Sequence, residues 1–319
     1  MTTTLNATPV ASQSFTITPF ARLGAEITGL DLRLPVNNAD FARIHQAHLD
    51  YHVVVFRKQN ITPRQQIDFS RRFGPLQIHV LKQFLLPDHP EILIVSNIIE
   101  NGQPIGLGDA GKFWHSDLSY KTLPSLGSML YAQELPEEGG DTLFADMELA
   151  YETLPEALRR AVAGKKAVHS YTATYSRPKF GSHWRPQLTE QQLAEVQAVS
   201  HPVVRTHPQT GRKALFVSEG FTTHIEGLPE DESREILVAL WAHSVRPEHL
   251  YRHQWQPGDT TSGSPAIWSS GITARLSIWR PAAPRICAAN SIAPLSKATR
   301  LFNGGCHAHC TKRRAAAAP

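Results

Sequence analysis

The residues best suited to chemistry lie in the segment Phe113-Trp114-His115-Ser116-Asp117. Its mixture of aromatic and small residues is typical of the edge of a strand, where side chains two positions apart point in the same direction. An imidazole and a carboxylate placed in this way can share one metal ion. A His-x-Asp sequence is also common in solvated loops, so the interpretation depends on the sequence around it.

Several short elements are predicted around this pair. Short apolar runs indicate buried strands at residues 53–56 and 91–95, and the glycine-rich residues 101–111 indicate a loop that could cover a ligand. A capping box from Thr62 to Gln65, with Pro63 at the first helical position, predicts a helix over residues 63–73. Further predictions are a helix at residues 145–163, a loop at 171–186, a hairpin of residues 203–206 and 214–218, and an amphipathic helix at 229–244.

This pattern of many short strands with a few covering helices favours a mainly β fold with helices (α+β). A double-sheet barrel suits it better than a doubly wound parallel sheet. The 319 residues, 41% of them apolar, are enough to bury a substantial core.

Three further motifs follow the His-x-Asp pair. They are Gly139-Gly140-Asp141-Thr142, the run from His201 to Pro208, and the run from Ala214 to Thr223. Taken together, the four stretches resemble the taurine and chlorophenoxyacetate dioxygenases, which are Fe(II) enzymes that consume 2-oxoglutarate. The resemblance extends over about residues 15–259. It implies a double-stranded β-helix, or jelly roll, with helical insertions.

The resemblance also implies roles for individual residues. Two histidines and one carboxylate commonly hold non-haem Fe(II) and leave positions open for 2-oxoglutarate and O2; His115 and Asp117 would be two of these ligands. Thr142 would hydrogen-bond a carboxylate of 2-oxoglutarate, and His79 would meet the anionic group of the substrate. The alternatives are an ordinary strand threonine and a strand-end histidine. The implied reaction is hydroxylation of a small organic anion, a sulfonate or carboxylate; Lys82 stands where taurine enzymes carry an aromatic residue, which argues against taurine.

Two parts of the family pattern are missing after Gly258-Asp259. The family carries its distal histidine there, in a Trp-Asp-Asn-Arg-x-x-x-His segment. About eleven residues further on it has an arginine that pairs bidentately with 2-oxoglutarate, as planar guanidinium geometry favours. No residue of this chain after Asp259 fits either position.

A displaced reading frame accounts for both absences. Read from the third base of each codon, the stretch from Thr260 to Ile267 permits His-Gln-Trp-Gln-Pro-Gly-Asp, which repeats the residues from His253 to Asp259. The same frame then permits Leu-Val-Ile-Trp-Asp-Asn-Arg-Ala-Ala-Val-His-Leu, and further on the spaced arginine. We therefore hypothesise a duplication of about seven codons plus one base, either in the gene or in its sequencing.

This hypothesis divides the chain into a dioxygenase domain, residues 1–259, and an aberrant tail, residues 260–319. The jelly roll would be incomplete at its carboxyl end, with exposed sheet edges. Iron binding and activity would be impaired because the distal histidine and the arginine are absent. The alternative from another class is a non-catalytic, degenerate jelly roll that binds a small anion.

The charge distribution agrees with this division. The tail holds eight Lys and Arg residues without Asp or Glu, which leaves 32 − 8 = 24 basic against 28 acidic residues upstream, so the net charge of +4 does not indicate nucleic-acid binding. All three cysteines lie in the tail; those in the run Cys306 to Cys310 are too closely spaced for an ordinary zinc site. No membrane span or leader is expected, so the protein is predicted to be cytoplasmic. Homo-oligomers are common in the family, and the oligomeric state stays open.

Overall fold

The computed structural model describes residues 10–137, 139–177, 185–264, 267–270 and 276–278. Its helices are α1 (Asn38–Tyr51), α2 (Pro63–Ser70), α3 (Met147–Glu152), α4 (Glu156–Val162), α5 (Tyr171–Tyr175), α6 (Glu190–Glu195) and α7 (Glu230–Ser244), with single 3-10 turns at Lys82–Phe84 and Pro247–His249. Its strands are β1 (Thr16–Pro19), β2 (Ala25–Thr28), β3 (Val53–Phe56), β4 (Leu85–Leu86), β5 (His89–Leu93), β6 (Ile99–Glu100), β7 (Gln103–Pro104), β8 (Ser128–Tyr131), β9 (Thr142–Asp146), β10 (Lys166–His169), β11 (Val199–Pro202), β12 (Val204–Thr206), β13 (Lys213–Leu215), β14 (Thr222–Ile225), β15 (Leu250–His253), β16 (Thr260–Gly263), β17 (Ile267–Ser270) and β18 (Leu276–Ile278).

The largest sheet has the strand order β1-β2-β3-β16-β8-β18. Strand β3 pairs in parallel with β2 and antiparallel with β16, which in turn pairs antiparallel with β8. All four residues of β3 are fully buried, as expected for a continuous apolar run in the interior of a sheet. Helices α1 and α2 cover this sheet through Ile44, Ile67 and Phe69, which pack in the same core cluster as Phe56.

A second sheet has the order β15-β9-β17, and its central strand β9 begins at the threonine of the Gly-Gly-Asp-Thr motif. A further sheet, β11-β10-β14, and the β12-β13 hairpin lie nearby in the chain, and α7 packs its residues Ile236, Leu237 and Leu240 into the same cluster as Ala167 and Ile225. The expected mixture of helices and sheets is confirmed. The finer jelly-roll arrangement stays a prediction.

The predicted helix at residues 145–163 and the predicted loop at residues 171–186 are wrong. The helix expected at residues 145–163 begins as strand β9, whose last residue Asp146 caps α3 by accepting hydrogen bonds from the amides of Glu148 and Leu149. Pro155 then separates α3 from α4, since proline lacks the amide that a continuing helix needs. The loop expected at residues 171–186 includes the short helix α5, which Ser170 caps through the amide of Ala173.

The predicted domain boundary at Asp259 coincides with the start of β16. This strand consists of Thr260, Thr261, Ser262 and Gly263; the first three are buried, and the buried Thr260 hydroxyl has no hydrogen-bond partner among the described residues. A cavity of about 280 Å³ lies beside Ser262. The tail residues 279–319, with all three cysteines and the basic run from Lys312 to Arg314, lie outside the described residues. None of the described helices is both long and apolar enough to cross a membrane.

Candidate metal and cosubstrate site

The segment from Phe113 to Asp117 is an irregular loop with one isolated bridge residue, His115, rather than the predicted strand edge. The rings of Phe113 and Phe221 hold it in place, with their centroids 5.6 Å apart in an edge-to-face arrangement. Gly220 permits this packing, since a Cβ atom there would lie 2.2 Å from the Phe113 ring. The residues after the segment turn sharply, and Leu118 has a φ of 51°, so a regular strand cannot continue.

His115 and Asp117 point at each other across this loop. The Nε2 atom of His115 lies 3.4 Å from Oδ1 of Asp117, and the imidazole is buried. Nδ1 of His115 donates a hydrogen bond to the Phe113 carbonyl at 2.8 Å, because a carbonyl oxygen only accepts. The hydroxyl of Ser128 donates to the other oxygen of Asp117. Both side chains are therefore oriented by neighbours that lie outside the pair.

This arrangement fits a metal cation. Because Nδ1 carries the proton in the neutral imidazole, Nε2 presents a lone pair, and it faces a carboxylate oxygen that also presents lone pairs. Two acceptors at this separation repel each other unless a proton or a metal cation joins them. Among the described residues no group of three or more His, Cys, Asp or Glu side chains is placed to hold a metal. The described part of the chain thus offers two ligands.

A small cavity lies in front of the pair. His79, His115 and Asp117 all line it, so the predicted substrate residue and the predicted ligands share one space. His79 accepts a hydrogen bond from the amide of Leu81 at Nδ1, at 3.2 Å, which leaves Nε2 as the protonated nitrogen of the neutral ring. The other walls are mainly apolar and aromatic; they include Leu93, Leu107, Phe113, Tyr120, Tyr171, Tyr175 and Phe221.

Thr142 lies elsewhere in the second sheet. It is fully buried at the start of β9, and its hydroxyl accepts a hydrogen bond from the indole of Trp255 at 3.0 Å. Its partner across the ladder is His253, whose ring packs edge-on against Trp255. Thr142 is not among the described residues that line the cavity at His115. The structure therefore brings together three of the four predicted site residues, and the fourth lies beside the end of β15.

The surroundings of Thr142 are unusually polar for a buried site. His253 Nε2 lies 3.6 Å from Asp259 Oδ2, but burial lowers the pKa of His253 to about 3, so the imidazole is neutral at pH 7 and the pair is not an ion pair. Burial also raises the pKa of Asp259, whose carboxylate is instead paired with the Arg57 guanidinium at 2.6 Å. Nε2 of His253 has no hydrogen-bond partner in the described residues.

One group at the cavity was missed by the sequence analysis. Arg185 lines the cavity, donates to Asp109 Oδ2 at 2.9 Å through Nε, and donates to the Tyr171 hydroxyl at 2.7 Å through Nη1. The residues come from segments that were both interpreted as loops, and neither contains a periodic pattern. Nothing in the local sequence signals that Asp109 and Arg185 meet.

Most of this chain is similar to known proteins. The family model described as taurine catabolism dioxygenase TauD, TfdA family matches residues 16–261. The chain belongs to this family. The recognition made from the motifs is thereby confirmed, and so is the class of enzyme. Members of the family use Fe(II), with 2-oxoglutarate and O2 as cosubstrates, which is the cofactor set expected from the sequence.

Individual relatives agree with this assignment. The chain is 36% identical to the alpha-ketoglutarate-dependent 2,4-dichlorophenoxyacetate dioxygenase of Cupriavidus pinatubonensis, over 74% of this chain and 83% of the relative. It is 34% identical to the pentalenolactone F synthase of Streptomyces arenae, over 76% of this chain and 83% of the relative. The crystal structure of a taurine dioxygenase from Burkholderia xenovorans superposes with a TM-score of 0.66 at 30% identity, covering 82% of this chain and 83% of that one.

Proposed function

We propose that the cavity at His115 and Asp117 is the Fe(II) and 2-oxoglutarate centre of a dioxygenase that hydroxylates a small organic anion, a carboxylate or sulfonate. His115 and Asp117 are two of the metal ligands, and His79 meets the anionic group of the substrate. The observation that carries the proposal is the 3.4 Å approach of the His115 lone pair to the Asp117 carboxylate, with Nδ1 held by the Phe113 carbonyl. The relative named for 2,4-dichlorophenoxyacetate supports a carboxylate substrate.

The protein side chains have distinct tasks in this site. Fe(II) with 2-oxoglutarate and O2 supplies the oxidant for a C–H bond when it is bound. The Phe113 carbonyl fixes the tautomer of His115, and Ser128 fixes one oxygen of Asp117 so that the other is directed at Nε2. The aromatic walls exclude water from the reacting carbon. For Thr142 we propose a hydrogen bond to a carboxylate of 2-oxoglutarate, an interaction for which the Trp255 indole orients the hydroxyl.

We further propose that the chain as given is an impaired form of this enzyme. The described residues offer two ligands, and the third ligand and the 2-oxoglutarate arginine occur only in the displaced frame. The polar strand β16 supports this proposal, because its buried Thr260 hydroxyl finds no hydrogen-bond partner in the part of the chain that the structure describes. In the displaced frame the same Pro-Gly-Asp tripeptide is followed by Leu-Val-Ile-Trp, an apolar sequence that suits a buried strand. On this reading residues 1–259 and the missing carboxyl end form one jelly roll.

The test compares the chain as given with a restored chain, the product of the gene after removal of the second copy and its additional base. Fe(II) binding is measured by equilibrium dialysis, and succinate formation from 2-oxoglutarate is measured by chromatography. We expect the restored chain to bind one Fe(II) and form succinate, and the chain as given to do both weakly. Asp117→Ala in the restored chain abolishes both, whereas the control Asp141→Ala, which removes a carboxylate paired with Arg252, leaves iron binding unchanged.

Two outcomes contradict these proposals separately. Stoichiometric iron binding and full succinate formation by the chain as given refute the impairment. A folded restored chain that binds no Fe(II), or whose iron binding survives Asp117→Ala, refutes the ligand assignment and favours the non-catalytic anion-binding alternative. Circular dichroism of each variant establishes that it is folded.

A further inference from the structure

Arg185 is held rigidly at the edge of the cavity. Its side chain is 10% exposed, and three groups fix it: the Asp109 carboxylate at Nε, the Tyr171 hydroxyl at Nη1, and the ring of Tyr175, whose centroid lies 3.7 Å from the guanidinium carbon. Asp109 itself is almost fully buried. A guanidinium positioned in this way loses little conformational entropy when it binds a further group.

One end of this guanidinium makes no hydrogen bond within the part of the chain that the structure describes. Hydrogen bonds within the described residues use Nε and Nη1, and none uses Nη2. Arg185 lines the same cavity as His79, His115 and Asp117. An Nη2 atom with two N–H donors is suited to bind one oxygen of an anion, and the bond is charge-assisted.

We propose that Arg185 is the specificity-determining residue that binds the anionic group of the substrate, and that the substrate is an anion with an apolar carbon skeleton and without an ammonium group. The inference deepens the proposed function and rests on it. Leu93, Tyr175 and Phe221 offer apolar surface to the skeleton.

The charges around the cavity explain why an ammonium group is excluded. The described carboxylate in the lining is Asp117, which the proposed function assigns to the metal. The other nearby carboxylate, Asp109, is paired with Arg185 and is not among the described residues that line the cavity; its second oxygen is buried. A substrate ammonium would lose its hydration here and gain no partner, a combination that costs several kcal/mol.

The experiment measures binding in the metal-free full chain, so its result does not depend on turnover. The probes are butyrate, its neutral analogue butyramide, and 4-aminobutyrate, which adds an ammonium to the same skeleton; each is titrated by NMR. We expect the wild-type chain to bind butyrate more tightly than the other two. Arg185→Gln weakens butyrate binding by about 10- to 100-fold, the loss of one or two hydrogen bonds to a charged group, and leaves butyramide unchanged.

Two further variants control for other effects of the substitution. Because Arg185→Gln leaves Asp109 buried and unpaired, the double variant Arg185→Gln with Asp109→Asn is measured as well; it removes both charges and shows the same loss of butyrate. Arg205→Gln is the matched control, since Arg205 is a half-buried arginine stacked on an aromatic ring, Phe216, at 4.3 Å, and does not line the cavity. It leaves butyrate binding unchanged.

The inference is overturned if the wild-type chain shows no preference for butyrate over butyramide, or if the folded double variant retains that preference. It is overturned in its second part if 4-aminobutyrate binds as tightly as butyrate. A failure of the proposed function appears differently, as absent Fe(II) binding by the restored chain, while the preference for butyrate and its loss on Arg185→Gln persist.

Discussion

Strands β3 and β16 are neighbours in the largest sheet, but β3 has apolar side chains and β16 is mainly polar. β3 has the sequence Val-Val-Val-Phe and β16 the sequence Thr-Thr-Ser-Gly, yet both lie in the interior. The ladder pairs Phe56 with Thr260 and Val54 with Ser262. Apolar side chains of β3 fill the core beside α1 and α2. The side chains of β16 carry hydroxyl groups, and its Ser262 lines a cavity of about 280 Å³.

The difference separates two causes of burial. The position of β16 is specified by its backbone, because the facing amides and carbonyls of β3 and β8 need hydrogen-bond partners that any residue other than proline can supply. The side chains of β3 contribute packing energy, whereas those of β16 place polar hydroxyl groups in the closely packed interior of the protein. This contrast agrees with the proposed displaced reading frame, which would alter β16 and leave β3 intact.

The largest expected effect is a loss of packing in β3. Phe56→Ala should lower the free energy of unfolding by about 3–5 kcal/mol, since the ring is fully buried and packs edge-to-face against Phe69 at 5.4 Å. Thr260→Ala, at the paired position of β16, should change it by no more than about 1 kcal/mol. Urea denaturation measures both. Equal losses would show that β16 packs as well as β3 and would remove the contrast.

An intermediate effect concerns pH. His48 donates to or accepts from the Ser262 hydroxyl of β16 at 2.8 Å, and burial lowers its pKa to about 3. The unfolded chain binds a proton near pH 6.5 and the folded chain does not, so the stability that neutral His48 permits is present above pH 6.5 and is lost as the pH falls toward 3. His48 contributes about 1.4 kcal/mol per pH unit to this loss.

The measurement compares unfolding free energies at several pH values between 6.5 and 4.5. His48→Gln should lower the slope of the unfolding free energy against pH by the contribution of one proton. His224→Gln, at an exposed position of β14, should leave the slope of the wild-type chain unchanged. His169 and His253, whose pKa values burial also lowers to about 3, remain in both variants and add to the common slope. An unchanged slope in His48→Gln would contradict the lowered pKa of the buried His48.

The smallest expected effect comes from a single hydroxyl. Thr260→Val should raise the free energy of unfolding by about 1 kcal/mol, because it keeps the shape of the side chain and removes a buried oxygen that has no hydrogen-bond partner within the described ranges. The same substitution at Thr222 should lower it by about 1 kcal/mol, since that hydroxyl accepts a hydrogen bond from the Ser218 amide at 2.8 Å. Thermal unfolding distinguishes the signs. Destabilisation by Thr260→Val would mean that the hydroxyl is satisfied.

Elements with local signals were predictable from the sequence. The capping box of Thr62 and Gln65 begins α2 at Pro63 as expected, and the predicted hairpin is the β12-β13 pair. α2 ends at Ser70 rather than residue 73 because the last residues form tight turns onto Phe69 and Ser70. The helix predicted at residues 145–163 was wrong because the prediction followed the helical spacing of apolar residues and did not end the helix before Pro155.

The candidate site was predictable only where its members are close in the chain. His115 and Asp117 lie two positions apart, so their convergence follows from spacing, even though the segment is a loop. The contact of Arg185 with Asp109 joins residues 76 positions apart, and that of Arg57 with Asp259 joins residues 202 apart. Such pairs depend on the complete fold, and no local pattern specifies them.

The central position of β16 has a consequence for synthesis on the ribosome. Strand β3 emerges early, but its open side is paired with residues about 200 positions later in the chain. Until that segment leaves the exit tunnel, the unpaired edge of an entirely apolar strand is exposed, and so are both edges of β8, whose partners β16 and β18 follow later. Closure of the largest sheet is therefore one of the last steps of folding, and any change near residue 260 acts on a nascent chain whose aggregation-prone edges are already in solution.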